Sequence, residues 1–186
     1  MKTVNTEPTS GTQGSHVLLV TGPAGAGKTE ATHYIKGHLS VALPGLSIFF
    51  ISGDVFSHIS FPWSATESQL DIKYACLGLV LERLLTTAGV VVIDDVFRRN
   101  QDRELIEKFV RQSGAKMTTV CLDADLASVL VRNSKRTGFQ KAPEAHIHGV
   151  HKQFYTLDWS RACHIDATRT IEEVVDDVVD IFLKRH

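Results

Sequence analysis

The densest chemistry in the chain lies in eight consecutive residues, Gly22-Pro23-Ala24-Gly25-Ala26-Gly27-Lys28-Thr29, which fit the pattern G-x-x-x-x-G-K-[ST]. Glycines at that spacing let successive backbone N–H groups turn inward around phosphate oxygens. A helix opening at the end of the loop aims its positive end at the same anion. Lys28 is placed to reach β- and γ-phosphates, and the Thr29 hydroxyl to hold Mg2+. The octet directly follows the apolar run His16–Thr21 (HVLLVT) and precedes a segment of helical period, the context that such a loop requires.

A loop of this kind needs an acid at the end of a neighbouring buried strand to complete the metal shell. Val90 to Ile93 followed by Asp94 and Asp95 supplies it. Alternate side chains of a strand face opposite ways, so the two aspartates cannot point at one ion. We assign Asp94 to the metal, with Asp95 as the alternative. Transfer to a hydroxyl also needs a base near the γ-phosphate. Asp54, in Ser52-Gly53-Asp54 after the second apolar run, stands at a strand's carboxyl end, where open α/β sheets bind ligands. A helix-capping aspartate is the competing reading. Arg132 and Arg136 are four apart and would share a face of a continuing helix. Two guanidinium groups on a closing flap suit the charge of a phosphoryl group in transfer and would exclude water. A solvated basic stretch with Lys135 and Lys141 is the bland alternative.

These residues need a scaffold, and the pattern of the chain implies one. Short β-branched runs alternate with longer helical segments, which favours a parallel sheet covered by helices on both faces. The spacing predicts strands at His16–Thr21, Leu46–Ser52, from Gly89 into VVVIDD, at Met117–Leu122 and ending at His164–Asp166. It predicts helices from about Gly27 to Ser40, Thr66 to Thr87, Asp102 to Gln112, Ala124 into Arg132, Pro143 towards Tyr155, and after Thr170. Thr66 with Gln69, and Thr170 with Glu173, have the spacing of capping boxes. Residues 133–142 (NSKRTGFQKA) read as a polar lid between two helices.

With 186 residues, 43% hydrophobic and 22% charged, the chain has the balance of one soluble globular domain. We expect that domain at 16–186, after a polar tail at 1–15 that has neither a signal-peptide core nor an arginine-rich transit pattern. No apolar run is long enough to cross a bilayer. The formal net charge of −1 provides no global field for nucleic acid. Cys76, Cys121 and Cys163, odd in number and set in apolar runs, read as reduced thiols of a cytoplasmic protein.

The string VVVIDDVFRRNQDRELIEKFVRQSGAKMTTVCLDADLASVLVRNSKR resembles the kinase domains of the polynucleotide kinase-like P-loop family. RNSKR followed by Pro143 and a helix is similar to the polynucleotide kinase lid. VVIDDVF also resembles the chloramphenicol phosphotransferase branch, and SGDVFSH resembles gluconate kinases. The likeness runs from His16 onward, with the P-loop as its most specific part. It implies that Asp54 is the hydroxyl-activating aspartate, Arg136 the phosphate-clamping lid arginine and Arg132 a second lid contact. It also implies an α/β three-layer domain with a five-stranded parallel sheet in the order 2-3-1-4-5, and a nucleotide base resting near Asp166 to Arg169. Gluconate kinases carry a second acid after the Gly-Asp pair, where this chain has Val55, and that argues against their sugar acceptor.

The expected activity is therefore transfer of the ATP γ-phosphoryl group, with Mg2+, to a hydroxyl of a small molecule. The alternatives are a polynucleotide 5′-hydroxyl kinase, which the net charge disfavours, and a nucleotide-dependent switch ATPase. Phe56, His58, Phe61 and Trp63 follow Asp54 and could either enclose an acceptor or staple a loop to the core. Arg98 and Arg99 could touch substrate or solvent. His146, His148 and His151 lack the spacing and partners of a metal site, and we set that reading aside.

Overall fold

Every residue of strand β1 (His16–Thr21) is buried, because β1 is the middle strand of a sheet covered on both faces. The computed structural model describes residues 14–59, 61–87, 89–138 and 141–186, so most of the expected tail lies outside the described residues. The other strands are β2 (Ser47–Ser52), β3 (Gly89–Asp95), β4 (Lys116–Asp123) and β5 (Cys163–Asp166). All neighbours pair in parallel, in the order β2-β3-β1-β4-β5, as the family resemblance implied.

Side chains of β1 alternate between two core layers, as the period of a strand requires. Leu18 and Val20 pack with Ile35 and Leu39 of α1 (Lys28–Ala42) and with Val175 and Val178 of α7 (Ile171–Leu183). Val17 and Leu19 pack with Tyr74 and Leu77 of α3 (Glu67–Leu85) and Ile106 of α4 (Asn100–Gln112). Both expected capping boxes form, at Thr66 on α3 and Thr170 on α7. Each satisfies two N–H groups that would otherwise end a helix unpaired.

Register decides what meets at the carboxyl edge of the sheet. Asp94 pairs with Val20 on one side and Ser52 on the other, and Asp95 with Thr21. The loop after β1, the turn after β2 and the end of β3 therefore lie level with one another.

Three local expectations change. Residues Gly53–Ser57 form a short helix, α2, that is absent from the predicted elements, and Asp54 sits in its first turn. Helix α5 (Leu126–Ser134) stops before Arg136, so Arg132 and Arg136 do not share a helical face. The polar segment expected to swing free from 133 is pinned at its ends. Asn133 is buried, donates from Nδ2 to the Ala142 carbonyl at 2.9 Å and accepts from the Ala142 N–H at 3.0 Å. Asn133 and Ala142 are therefore tied together ahead of α6 (Glu144–Phe154).

Candidate active site

The loop between β1 and α1 turns on Gly27, at φ 97°, a left-handed conformation that a β-carbon would strain. The Ala26 N–H donates to the Pro23 carbonyl at 3.1 Å, and the Ala31 N–H to the Gly27 carbonyl at 2.9 Å, so the helix starts directly from the loop. Lys28 folds back over this loop and donates from Nζ to the carbonyls of Gly22 and Pro23 at 2.9 and 3.0 Å. Burial pulls its ammonium down to about 8, against the opposing pull of Asp54, Asp94 and Asp95.

The two consecutive aspartates have different partners. Asp94 accepts from the Thr29 hydroxyl at 3.0 Å. Burial pushes the Asp94 carboxyl up, and hydrogen bonds from Ser52 and Thr29 and the Lys28 charge pull the other way. A hydroxyl and a buried carboxylate are hard oxygen donors of the kind Mg2+ prefers, and a carboxylate that burial disfavours is relieved by a cation. These residues fit that ion.

Asp95 faces the other way, into an ion pair with Lys73 at 2.8 Å whose side chains are 5% and 0% exposed for lysine and aspartate. Its Oδ1 also accepts from the Val96 N–H at 2.8 Å, while Oδ2 is buried without a partner among the described residues. A β-carbon on Gly53 would fall 2.4 Å from Asp95 Cγ, so the Ser52-Gly53-Asp54 turn is packed directly on this carboxylate. Lys73 belongs to no sequence motif, but its place on the buried stripe of α3, between Leu70 and Leu77, signals a buried counter-charge.

Two cavities meet at the loop. One is lined by Lys28, Thr29, Asp54, Asp94 and Arg136, together with Trp63, Arg98 and His146. The other is lined by Gly25 and Gly27, Arg132, Ala167, Arg169 and Ile171. Arg136 and the loop glycines border both. Arg132 donates to the Ala26 carbonyl at 3.0 Å and to the Ala167 carbonyl, so it ties the loop to the chain after β5.

Of the four aromatic residues after Ser52-Gly53-Asp54, only Trp63 lines the first cavity. Phe56 packs against the core, and Phe61 is 99% exposed. The adjacent arginines separate as well. Arg99 is held by Asp102 at 2.6 Å, Asp71 at 2.8 Å and Glu67, whereas Arg98 lines the cavity.

The histidines of α6 do not converge: His151 contacts the Ala124 carbonyl at 3.0 Å, His148 is exposed and His146 faces the cavity. Another trio lies close, with ligand atoms of Cys121, Asp123 and His164 within 4.8 Å of one another. They satisfy each other instead. Cys121 Sγ donates to Asp123 at 3.5 Å, and the His164 ring contacts Asp123 Oδ2 at 2.8 Å and the Trp159 carbonyl at 3.1 Å. Both ring partners are acceptors, so the charged imidazole is favoured. Burial lowers His164, and the Asp123 and Trp159 bonds outweigh it to raise the pKa.

The AAA domain family matches residues 17–157. No curated protein matches the chain by sequence. Among solved structures, the chain is similar to an APS kinase of Mycobacterium tuberculosis in complex with AMPPNP and APS, at 20% identity and TM-score 0.73, over 90% of this chain and 96% of that one. A sugar kinase from a Janibacter species superposes with TM-score 0.71 at 14% identity, over 91% and 95% of the two chains. A gluconokinase from Sinorhizobium meliloti does so with TM-score 0.68 at 18% identity, over 93% of each. With its match spanning well over half of its length, the chain belongs to the AAA domain family, and its fold is that of the small P-loop kinases.

Proposed function

We propose that this protein is an ATP- and Mg2+-dependent kinase that phosphorylates a hydroxyl of a small molecule, with one domain at 16–186 and a lid at about 133–142. The observation that carries the reading is the convergence of Lys28, Thr29, Asp54, Asp94 and Arg136 on one cavity. Residues 22–29 take the triphosphate, and Lys28 exchanges its two carbonyl bonds for phosphate oxygens. The cavity of Arg132, Ala167 and Arg169 takes the nucleoside. Thr29 and Asp94 would hold Mg2+, which would offset the charge of the triphosphate.

Asp54 accepts the proton of the acceptor hydroxyl as its oxygen bonds to the γ-phosphorus. The bond from that phosphorus to the β,γ-bridging oxygen breaks, and ADP leaves. Lys28 and Arg136 stabilise the charge on the phosphoryl group during transfer. Asp54 is exposed on the first turn of α2, so an acceptor can reach it from solvent.

The test is transfer of label from γ-labelled ATP to hydroxylated antibiotics, nucleosides, sugars and 5′-hydroxyl oligonucleotides. We expect a phosphorylated small molecule, with turnover reduced about 10²- to 10⁴-fold in Asp54→Asn and nucleotide affinity unchanged. Full turnover in that variant would remove Asp54 as the base. Slow phosphate release alone, indifferent to Asp54→Asn, would replace the kinase reading with a switch ATPase. Labelled oligonucleotide with steeply salt-dependent binding would replace the acceptor class.

A further inference from the structure

The first cavity has a part that phosphate transfer does not use. Trp63, Arg98 and His146 line it but not the second cavity, whereas Arg136 and the loop glycines line both. They therefore lie on the acceptor side of the loop. The cationic groups of the cavity can be assigned one by one. Lys28 and Arg136 face the triphosphate in the proposed reaction, and Lys73 is neutralised by Asp95 at 2.8 Å. Arg98 remains. Its neighbour Arg99 holds three carboxylates, but among the described residues the Arg98 guanidinium has neither an ion pair nor a hydrogen bond. Its backbone is fixed, since the Arg98 carbonyl accepts from Gln153 Nε2 at 3.1 Å.

His146 lies close enough for the Arg98 charge to act on its ring. Burial first, and then Arg98, hold His146 below the usual histidine range, which favours its neutral form. Trp63 and Leu70 supply apolar surface on the same cavity. A half-buried guanidinium with no partner among the described residues, on a cavity that a histidine and an indole also line, is a receptor for an oxyanion carried by an organic skeleton.

We propose that the acceptor is anionic: the molecule whose hydroxyl meets Asp54 also carries a carboxylate, sulfate or phosphate group that binds Arg98 beside His146. This rests on the kinase reading for its hydroxyl but not for its anion. A charge-assisted hydrogen bond of this kind favours an anionic acceptor over its neutral counterpart by about ten- to a hundredfold.

The test uses the full chain with Mg·AMPPNP at saturation, so that the phosphate loop is filled. Sodium sulfate is titrated against sodium chloride at constant ionic strength while Trp63 emission is followed, with Trp63→Phe identifying the signal. We expect saturation in the wild type and at least a tenfold weaker response in Arg98→Gln, with AMPPNP affinity unchanged and Arg98→Lys intermediate. A wild type that does not saturate, or an Arg98→Gln variant that titrates like it, would overturn the proposal. In parallel, label transfer is compared for 3-phosphoglycerate against glycerol and a nucleoside 3′-monophosphate against the nucleoside. Preference for the anionic member, abolished in Arg98→Gln, is the expected result. Equal transfer to both members would overturn the anion site and leave the kinase standing. Sulfate binding that depends on Arg98, with no transfer to any acceptor, would keep the site and remove the kinase reading.

Discussion

The two sides of the cleft are built on different terms. On the loop side, groups already have partners: Lys28 holds two carbonyls, Thr29 holds Asp94, and Arg132 ties the loop to Ala167. On the acceptor side, Asp54, Trp63, Arg98 and His146 come from four separate segments, and among the described residues their side chains make no hydrogen bond. A phosphate chain presents the same oxygens whatever it is attached to, so backbone geometry next to a helix terminus can grip it. An acceptor differs from one kinase to the next, and side chains left without protein partners are what can recognise it. The Lys73–Asp95 pair lies at the boundary, under the Ser52-Gly53-Asp54 turn that belongs to the acceptor side.

That contrast makes Lys73 the most sensitive place to break it. Lys73→Met leaves a buried carboxylate without its counter-charge, and we expect a loss of about 3 to 5 kcal/mol in urea unfolding at unchanged slope, with partial recovery on adding Asp95→Asn. A loss below about 1 kcal/mol would mean that the two aspartates differ less than their partners suggest.

Asn133→Ala has the next largest effect. It strands both the N–H and the carbonyl of Ala142, and should cost about 2 kcal/mol. Amide exchange at Ala142 should rise accordingly, and an unchanged rate would show that the lid is anchored elsewhere.

The smallest effect is a pH dependence on the loop side. Burial holds the Lys28 ammonium down at about 8 in the free protein, and bound phosphate would raise it. Nucleotide affinity should then be flat below about pH 7 and fall about tenfold between pH 7 and pH 9, as the free protein loses the charge that binding must restore. Lys28→Arg stays charged throughout and should remove the slope. Fluorescent ATP-analogue titrations across that range would settle it.

Legibility in the sequence follows the same division. The octet and both capping boxes are contiguous patterns whose physics is local, and they form where the spacing predicts. The short helix at Gly53–Ser57 was invisible because its five residues are too few for a periodic pattern. The lid is legible only in part. Its polarity was plain, but Asn133 looked like the first flap residue until a contact nine positions away showed it buried. Arg98 and Arg99 are identical in sequence terms, and only the carboxylates of α3 and α4 distinguish them.

The sequence by itself determined the phosphate loop, the strand–helix alternation and the acidic end of the third strand, because each depends on the types and spacing of near neighbours. Tertiary structure decided which aspartate meets Thr29 and which meets Lys73, and that Trp63, Arg98 and His146 share a cavity. These pairings join residues tens of positions apart, and strand register and helix packing, not local pattern, set the distances between them.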